Sequence, residues 1–138
     1  MKLIIKGVIV VISLMSSVVL AEVAVVVNTT NANSLANSDV SRIFLGKMKS
    51  FPDGSSTIPV NLESGSTVRG EFEEKALGKS SSQVKAYWSK QVFSGKGKPP
   101  KELASDADII RFVSATPGAI GYVDATSVND KVKVIAKY

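Results

Sequence analysis

The alternation of apolar and polar positions divides the chain at about residue 22. From Val8 to Leu20 it is apolar apart from Ser13, Ser16 and Ser17, and it carries no charge. Lys2 and Lys6 precede that run. Val19-Leu20-Ala21 closes it with compact residues at the positions a signal peptidase reads, and the charged Glu22 follows. A spanning helix needs roughly 20 predominantly apolar residues, and this run is shorter and interrupted by serines. Residues 1–21 are therefore expected to be a cleavable secretory signal, and 22–138 a single exported domain.

Beyond Glu22 two periodicities alternate. Glu22 to Val27 is a β-branched run that ends at Asn28-Thr29-Thr30-Asn31, a buried strand feeding a polar loop. Ser38 as N-cap predicts a helix over Ser38–Leu45, with Val40, Ile43 and Phe44 on one face and Gly46 ending it. Pro52-Asp53-Gly54 marks a turn. Thr57–Leu62 reads as a strand in which Pro59 belongs to an edge or to the start of pairing. Ser64-Gly65-Ser66-Thr67 opens a helix over Thr67–Leu77 that turns Val68, Phe72 and Ala76 inward. A third helix, Ser82–Phe93, carries Val84, Trp88 and Val92 on one face. The stretch from Gly95 to Pro100 is a loop. Ser105 with Asp108 starts a fourth helix, Asp106–Ala115, with Ile109, Phe112 and Val113 inward, and Thr116-Pro117-Gly118 stops it. Ala119–Val123 and Lys131–Ala136 are strands. Alternating strands and helices predict an α/β domain with a parallel or mixed sheet and flanking helices.

Composition narrows the chemistry. The chain has 17 basic and 12 acidic residues; loss of Lys2 and Lys6 with the signal leaves 15 against 12, a net charge of +3. Lys75, Lys79, Lys85, Lys90, Lys96, Lys98, Lys101, Lys131, Lys133 and Lys137 are scattered singly along the sequence, which gives no nucleic-acid signature. A weak positive field suits a small anionic ligand or an acidic partner surface. Histidine and cysteine are both absent, so the commonest general base, the commonest metal ligand and the best nucleophile are missing. Ser80-Ser81-Ser82 with Lys85 matches no nucleophile motif, and Glu71, Glu73 and Glu74 read as a solvated helix face. No enzyme, metal site or cofactor is expected.

Anion binding fits better. At Ser64-Gly65-Ser66-Thr67 a strand hands over to a helix, where free N–H groups and the positive end of the helix dipole face outward together. The hydroxyls add donors, Gly65 lets the backbone approach a ligand, and Arg69 in the first turn offers a fork of donors to a tetrahedral oxyanion. An ordinary N-cap followed by an exposed surface arginine fits the same spacing equally well.

The order of several short motifs adds weight to the first of these. Ile43-Phe44-Leu45-Gly46-Lys47, Phe51-Pro52-Asp53-Gly54, Ile58-Pro59-Val60 and Ser64-Gly65-Ser66-Thr67-Val68-Arg69 with Phe72 are followed by Tyr87-Trp88, Phe93-Ser94-Gly95 and Pro117-Gly118-Ala119-Ile120-Gly121-Tyr122-Val123. In that order they resemble the periplasmic phosphate-binding proteins of ABC transporters, over nearly the whole of residues 22–138. The resemblance implies a periplasmic-binding-protein-like fold that binds phosphate or a related oxyanion without performing chemistry. It carries the ligand role to Ser64, Gly65, Ser66 and Thr67, with Arg69 in support, and a first ligand loop to Asn28, Thr29 and Thr30. That loop lacks the family's usual glycines, and Ser66 interrupts the serine–glycine–threonine run. Length departs too, since full binding proteins close two lobes on their ligand and this chain has material for little more than one. A reduced relative keeps an open half-site, rebuilds a cleft as a homodimer, or serves the cell envelope as an interaction module without a ligand. An ABC permease is the partner implied by the first case.

The exported chain is expected to begin at Glu22. Intact-mass spectrometry of protein from the periplasmic fraction checks this, and a Met1 chain held in the membrane would overturn the export reading.

Overall fold

A computed structural model describes residues 7–12 and 22–138. The expected signal segment lies outside the described residues except for 7–12. Within the described residues no helix is long and apolar enough to cross a membrane.

One sheet organises the domain. Its strands are β1 (Val23–Asn28), β2 (Ile58–Leu62), β3 (Lys101–Leu103), β4 (Ala119–Asp124) and β5 (Val132–Lys137), in the spatial order β3-β2-β4-β1-β5. β2 runs parallel to β3 and β4, whereas β1 runs antiparallel to β4 and β5, so the sheet is mixed as expected. Every residue of β1 is buried. That is why its sequence is an unbroken β-branched run rather than an alternating one. Pro59 pairs with Ile120 of β4, while pairing to β3 begins one residue later at Val60. It therefore sits at the start of the ladder, where its missing N–H costs nothing.

The helices are α1 (Asn37–Phe44), α2 (Thr67–Phe72), α3 (Ser81–Phe93) and α4 (Asp106–Ala115). Three helices differ from expectation in their bounds. α1 begins at Asn37 after Ala36, because the Asp39 carboxylate accepts from the Ala36 N–H at 3.0 Å and replaces a capping hydroxyl. α3 begins one residue early, at Ser81. Ser80 accepts from Gln83 N–H and Gln83 accepts from Ser80 N–H, a reciprocal cap. α2 is α-helical only to Phe72; Glu73–Leu77 continues as a π-helical turn that Gly78 ends at φ +64°. The strand β3 was not anticipated at all. Its three residues, Lys-Glu-Leu, are too few and too polar to show a period.

The core is centred on β1 and on three aromatic rings. Phe72 stacks on Tyr122 at 3.9 Å between centroids, and Phe44 meets both edge-on at 4.8 and 5.6 Å. One inward assignment changes: Val92 on α3 is exposed, whereas Phe112 on α4 packs against the core partly buried, with Lys101 Nζ 5.2 Å from its ring centroid, and Ile110 is buried beside it. α4 lies against the sheet at Gly121, where a Cβ would stand 2.8 Å from Ile109 Cγ2 and 3.1 Å from Val60 Cγ2. Both neighbours are stiff, β-branched and buried, so neither can yield cheaply. Gly121→Ala is expected to destabilise the fold by about 1–3 kcal/mol, read as a lower urea midpoint with an unchanged slope. An unchanged midpoint would show that the helix shifts freely on the sheet.

Candidate functional site

The site candidate grows out of the carboxyl end of β2. After Leu62 the chain turns through Glu63–Ser66, with Gly65 at φ +90° and Ser66 N–H donating to the Glu63 carbonyl at 3.1 Å. Only glycine takes that angle without strain. Ser66 then caps α2, its hydroxyl accepting from the Arg69 N–H at 3.2 Å.

Arg69 does not reach out to solvent. Its side chain is 13% exposed and folds back across the end of the sheet. Nη1 donates to the Leu62 carbonyl at 3.0 Å and to Glu102 Oε1 at 2.7 Å, and Nε lies 3.6 Å from Glu73 Oε2. Burial alone would disfavour the charge, but the hydrogen bond to Glu102, helped by the charge of Glu73, outweighs it and raises the pKa of Arg69. Glu73, buried at the start of the π-turn, also accepts from the Ser81 hydroxyl at 2.9 Å. Beneath this cluster the Tyr122 hydroxyl accepts from Leu62 N–H at 3.2 Å and donates to Asn61 Oδ1 at 3.0 Å. Burial pushes the Tyr122 pKa well above that of an ordinary phenol, so the group stays neutral.

These groups form one wall of an open cleft of about 970 Å³. Ser64, Gly65, Ser66 and Arg69 line it from the α2 side, Ser81, Ser82, Lys85 and Trp88 from α3, and Glu102 from β3. It holds several hydroxyls, two cations and two carboxylates. Such a set can take a small oxyanion on the hydroxyl side, where the ligand would compete with Glu102 for the guanidinium.

The structure brings together only part of the expected ligand set. Thr67 lines a separate depression with Gly70, Glu74 and Ser80. Asn28, Thr29 and Thr30 lie at the other end of the sheet: β1 is antiparallel to β4 and β2 is parallel to it, so Val27, Ile120 and Pro59 stand in one row at the start of β2. One small anion cannot touch both groups. Asn28 and Thr30 instead close the end of α4, Asn28 Nδ2 donating to the Val113 and Ser114 carbonyls and its Oδ1 accepting from Thr30 N–H and hydroxyl. Sequence reasoning missed Glu102, set Ser81 and Lys85 aside as matching no nucleophile motif, and put Glu73 on a solvated face, whereas it is buried. The spacing Arg69–Glu73, one helical turn apart, was the available signal.

The fold has known counterparts. An ABC-type phosphate transport receptor from Vibrio cholerae superposes with a TM-score of 0.66 at 21% identity, covering 83% of this chain and 45% of its own. A phosphate ABC transporter substrate-binding protein from Clostridium perfringens, solved with bound phosphate, gives 0.66 at 19% identity, covering 83% and 44%. PstS from Borrelia burgdorferi gives 0.62 at 12% identity, covering 84% and 47%. The fold is that of a single lobe of such receptors. The chain thus spans less than half the length of these proteins, which are transport receptors rather than enzymes. No family model matches it, and no curated protein matches it.

Because Arg69 is enclosed, its loss should reach stability. Arg69→Ala would take a donor from the Leu62 carbonyl and the neighbouring cation from the buried Glu73, and we expect a cost of about 1–3 kcal/mol. Urea unfolding of Arg69→Ala beside wild type measures it; equal midpoints would mean that the guanidinium contacts are dispensable.

Proposed function

We propose that this chain is an exported, periplasmic binding protein for an inorganic oxyanion, phosphate foremost, acting with an ABC permease and performing no chemistry. The observation that carries the reading is the position of Arg69. A guanidinium bonded to the Leu62 carbonyl, at the carboxyl end of a parallel strand, lines the same open cleft as the Ser64–Ser66 helix start. Open α/β sheets place ligands at that end of their strands. Ser64, Gly65, Ser66 and Arg69 are the proposed contacts, with Thr67 contributing its backbone at the first turn. Asn28, Thr29 and Thr30 would belong to a different contact, since the sheet separates them from the cleft. The fold's likeness to a receptor solved with phosphate supports the choice of anion.

An open half-site binds weakly, because water competes for every charged hydrogen bond. A second copy forming a homodimer, or the permease itself, would cover the cleft and tighten it. A second reading has its own support. Glu102 and Glu73 already occupy Arg69, and Phe93 beside the cleft is 95% exposed with Val92 next to it. These features suit a cell-envelope interaction module that keeps the fold without a ligand.

Calorimetric titration separates the two. Wild type is expected to bind phosphate with Kd between roughly micromolar and millimolar, about −8 to −4 kcal/mol. Glu102→Gln, which removes the competing carboxylate charge from an exposed edge strand, should tighten binding by about 3- to 10-fold. A folded protein that gives no heat at tens of millimolar phosphate, in either form, would leave the interaction module as the reading.

A further inference from the structure

On the far side of α3 the fold gathers charge that the sequence disperses. The turn after α1 carries Lys47 and Lys49, and the loop after α3 carries Lys96 and Lys98. All four lysines line one concave pocket of about 560 Å³ that is distinct from the Arg69 cleft. The indole of Trp88 sets their spacing. Gly46, at φ +70°, passes so close that a Cβ there would lie 3.0 Å from Trp88 Cη2, and a Cβ at Gly97 would lie 3.8 Å from Trp88 Cζ3. Both Lys-x-Lys loops are therefore held against a single ring. Tyr87 secures the first loop, its hydroxyl donating to the Leu45 carbonyl at 2.7 Å while Lys47 Nζ sits 5.9 Å from its ring centroid.

No acidic side chain lines the pocket, and among the described residues none of the four lysines forms an ion pair. Four like charges around one concavity repel one another. Low-dielectric walls concentrate their field, which a ligand of several negative charges would relieve. Lysines give compact, mobile point charges rather than a fixed fork of donors, so they select for charge number more than for the shape of one group. The volume falls within the range of small-ligand sites and far exceeds a single tetrahedral anion.

We propose that this pocket binds a compact ligand carrying two or more phosphate groups, at a site separate from the oxyanion cleft. Its affinity comes from Lys47, Lys49, Lys96 and Lys98, and the Tyr87–Trp88 wall holds the two loops in place.

The test is calorimetry of the purified protein with sodium tripolyphosphate, beside orthophosphate and chloride. Tripolyphosphate should bind about tenfold tighter than orthophosphate, and lose about tenfold in affinity between about 50 and 200 mM salt. K49Q/K98Q removes one lysine from each loop and should weaken it by about tenfold or more. The charge-matched control K90Q/K137Q, whose lysines are exposed and outside the pocket, should leave binding within about twofold. Thermal melts of both variants confirm that each is folded. Equal weakening in the two double variants would reduce the effect to net charge and overturn the proposal, as would absence of binding to tripolyphosphate. Cosedimentation with phosphatidylglycerol vesicles provides the other arm. Vesicle binding lost in K49Q/K98Q, without any tripolyphosphate heat, would assign the lysines to a membrane surface and overturn the small-ligand site.

Discussion

The hydroxyl of Tyr122 joins the dry core to the wet end of the sheet. Backbone pairing between β2 and β4 covers only Ile58–Pro59 against Ala119–Ile120. Past that point the two strands are bridged by a side chain: Tyr122 takes the Leu62 N–H and gives its own proton to Asn61. The same ring stacks on Phe72, so α2 and β4 meet at one residue. The Leu62 carbonyl, on the residue whose N–H Tyr122 holds, is the one that receives Arg69. A buried polar group left unpaired costs about 1–3 kcal/mol, which makes this short chain of bonds a condition of the fold as well as of the cleft. The neighbouring Gly121 is a glycine for the complementary reason, since α4 occupies the space on its side of the sheet.

What was legible in the sequence followed from local rules. The unbroken apolar run of β1, the serine caps of α2 and α4 and the Pro-Gly turn before β4 each announce themselves within a few residues, and those elements appear where the signals fall. The strand order does not announce itself. Nothing within Asn28–Thr30 says that β1 runs against its neighbours, and that direction is what parts these residues from Ser64. Arg69 was legible as a residue of the cleft but not in its state. Its principal partner Glu102 is 33 positions away, on a strand too short to carry a pattern. Glu73 was hidden differently: it stands in an acidic run that reads as solvated, and only its place one helical turn after Arg69 sets it apart from Glu71 and Glu74.

Charge shows the same limit from the opposite direction. Counted along the chain, the lysines look evenly spread and the net charge is small. In space, two pairs separated by 46 intervening residues converge because two loops meet one indole, the tighter approach being made at Gly46. The two sides of α3 consequently differ in character. Toward α2, cations and carboxylates neutralise one another around Arg69; toward the lysine loops, positive charge stands alone. A helix of 13 residues thus separates two electrostatic environments.

Trp88 lines both of those environments, and it is the only tryptophan in the chain. Its indole is nearly buried, yet one side backs the Arg69 cleft and the other carries Gly46 and Gly97. Indole emission responds to nearby charge and to solvent access. The protein therefore contains a single built-in optical reporter whose signal needs no deconvolution among fluorophores of its own kind. A ligand on either wall would stand against the same ring.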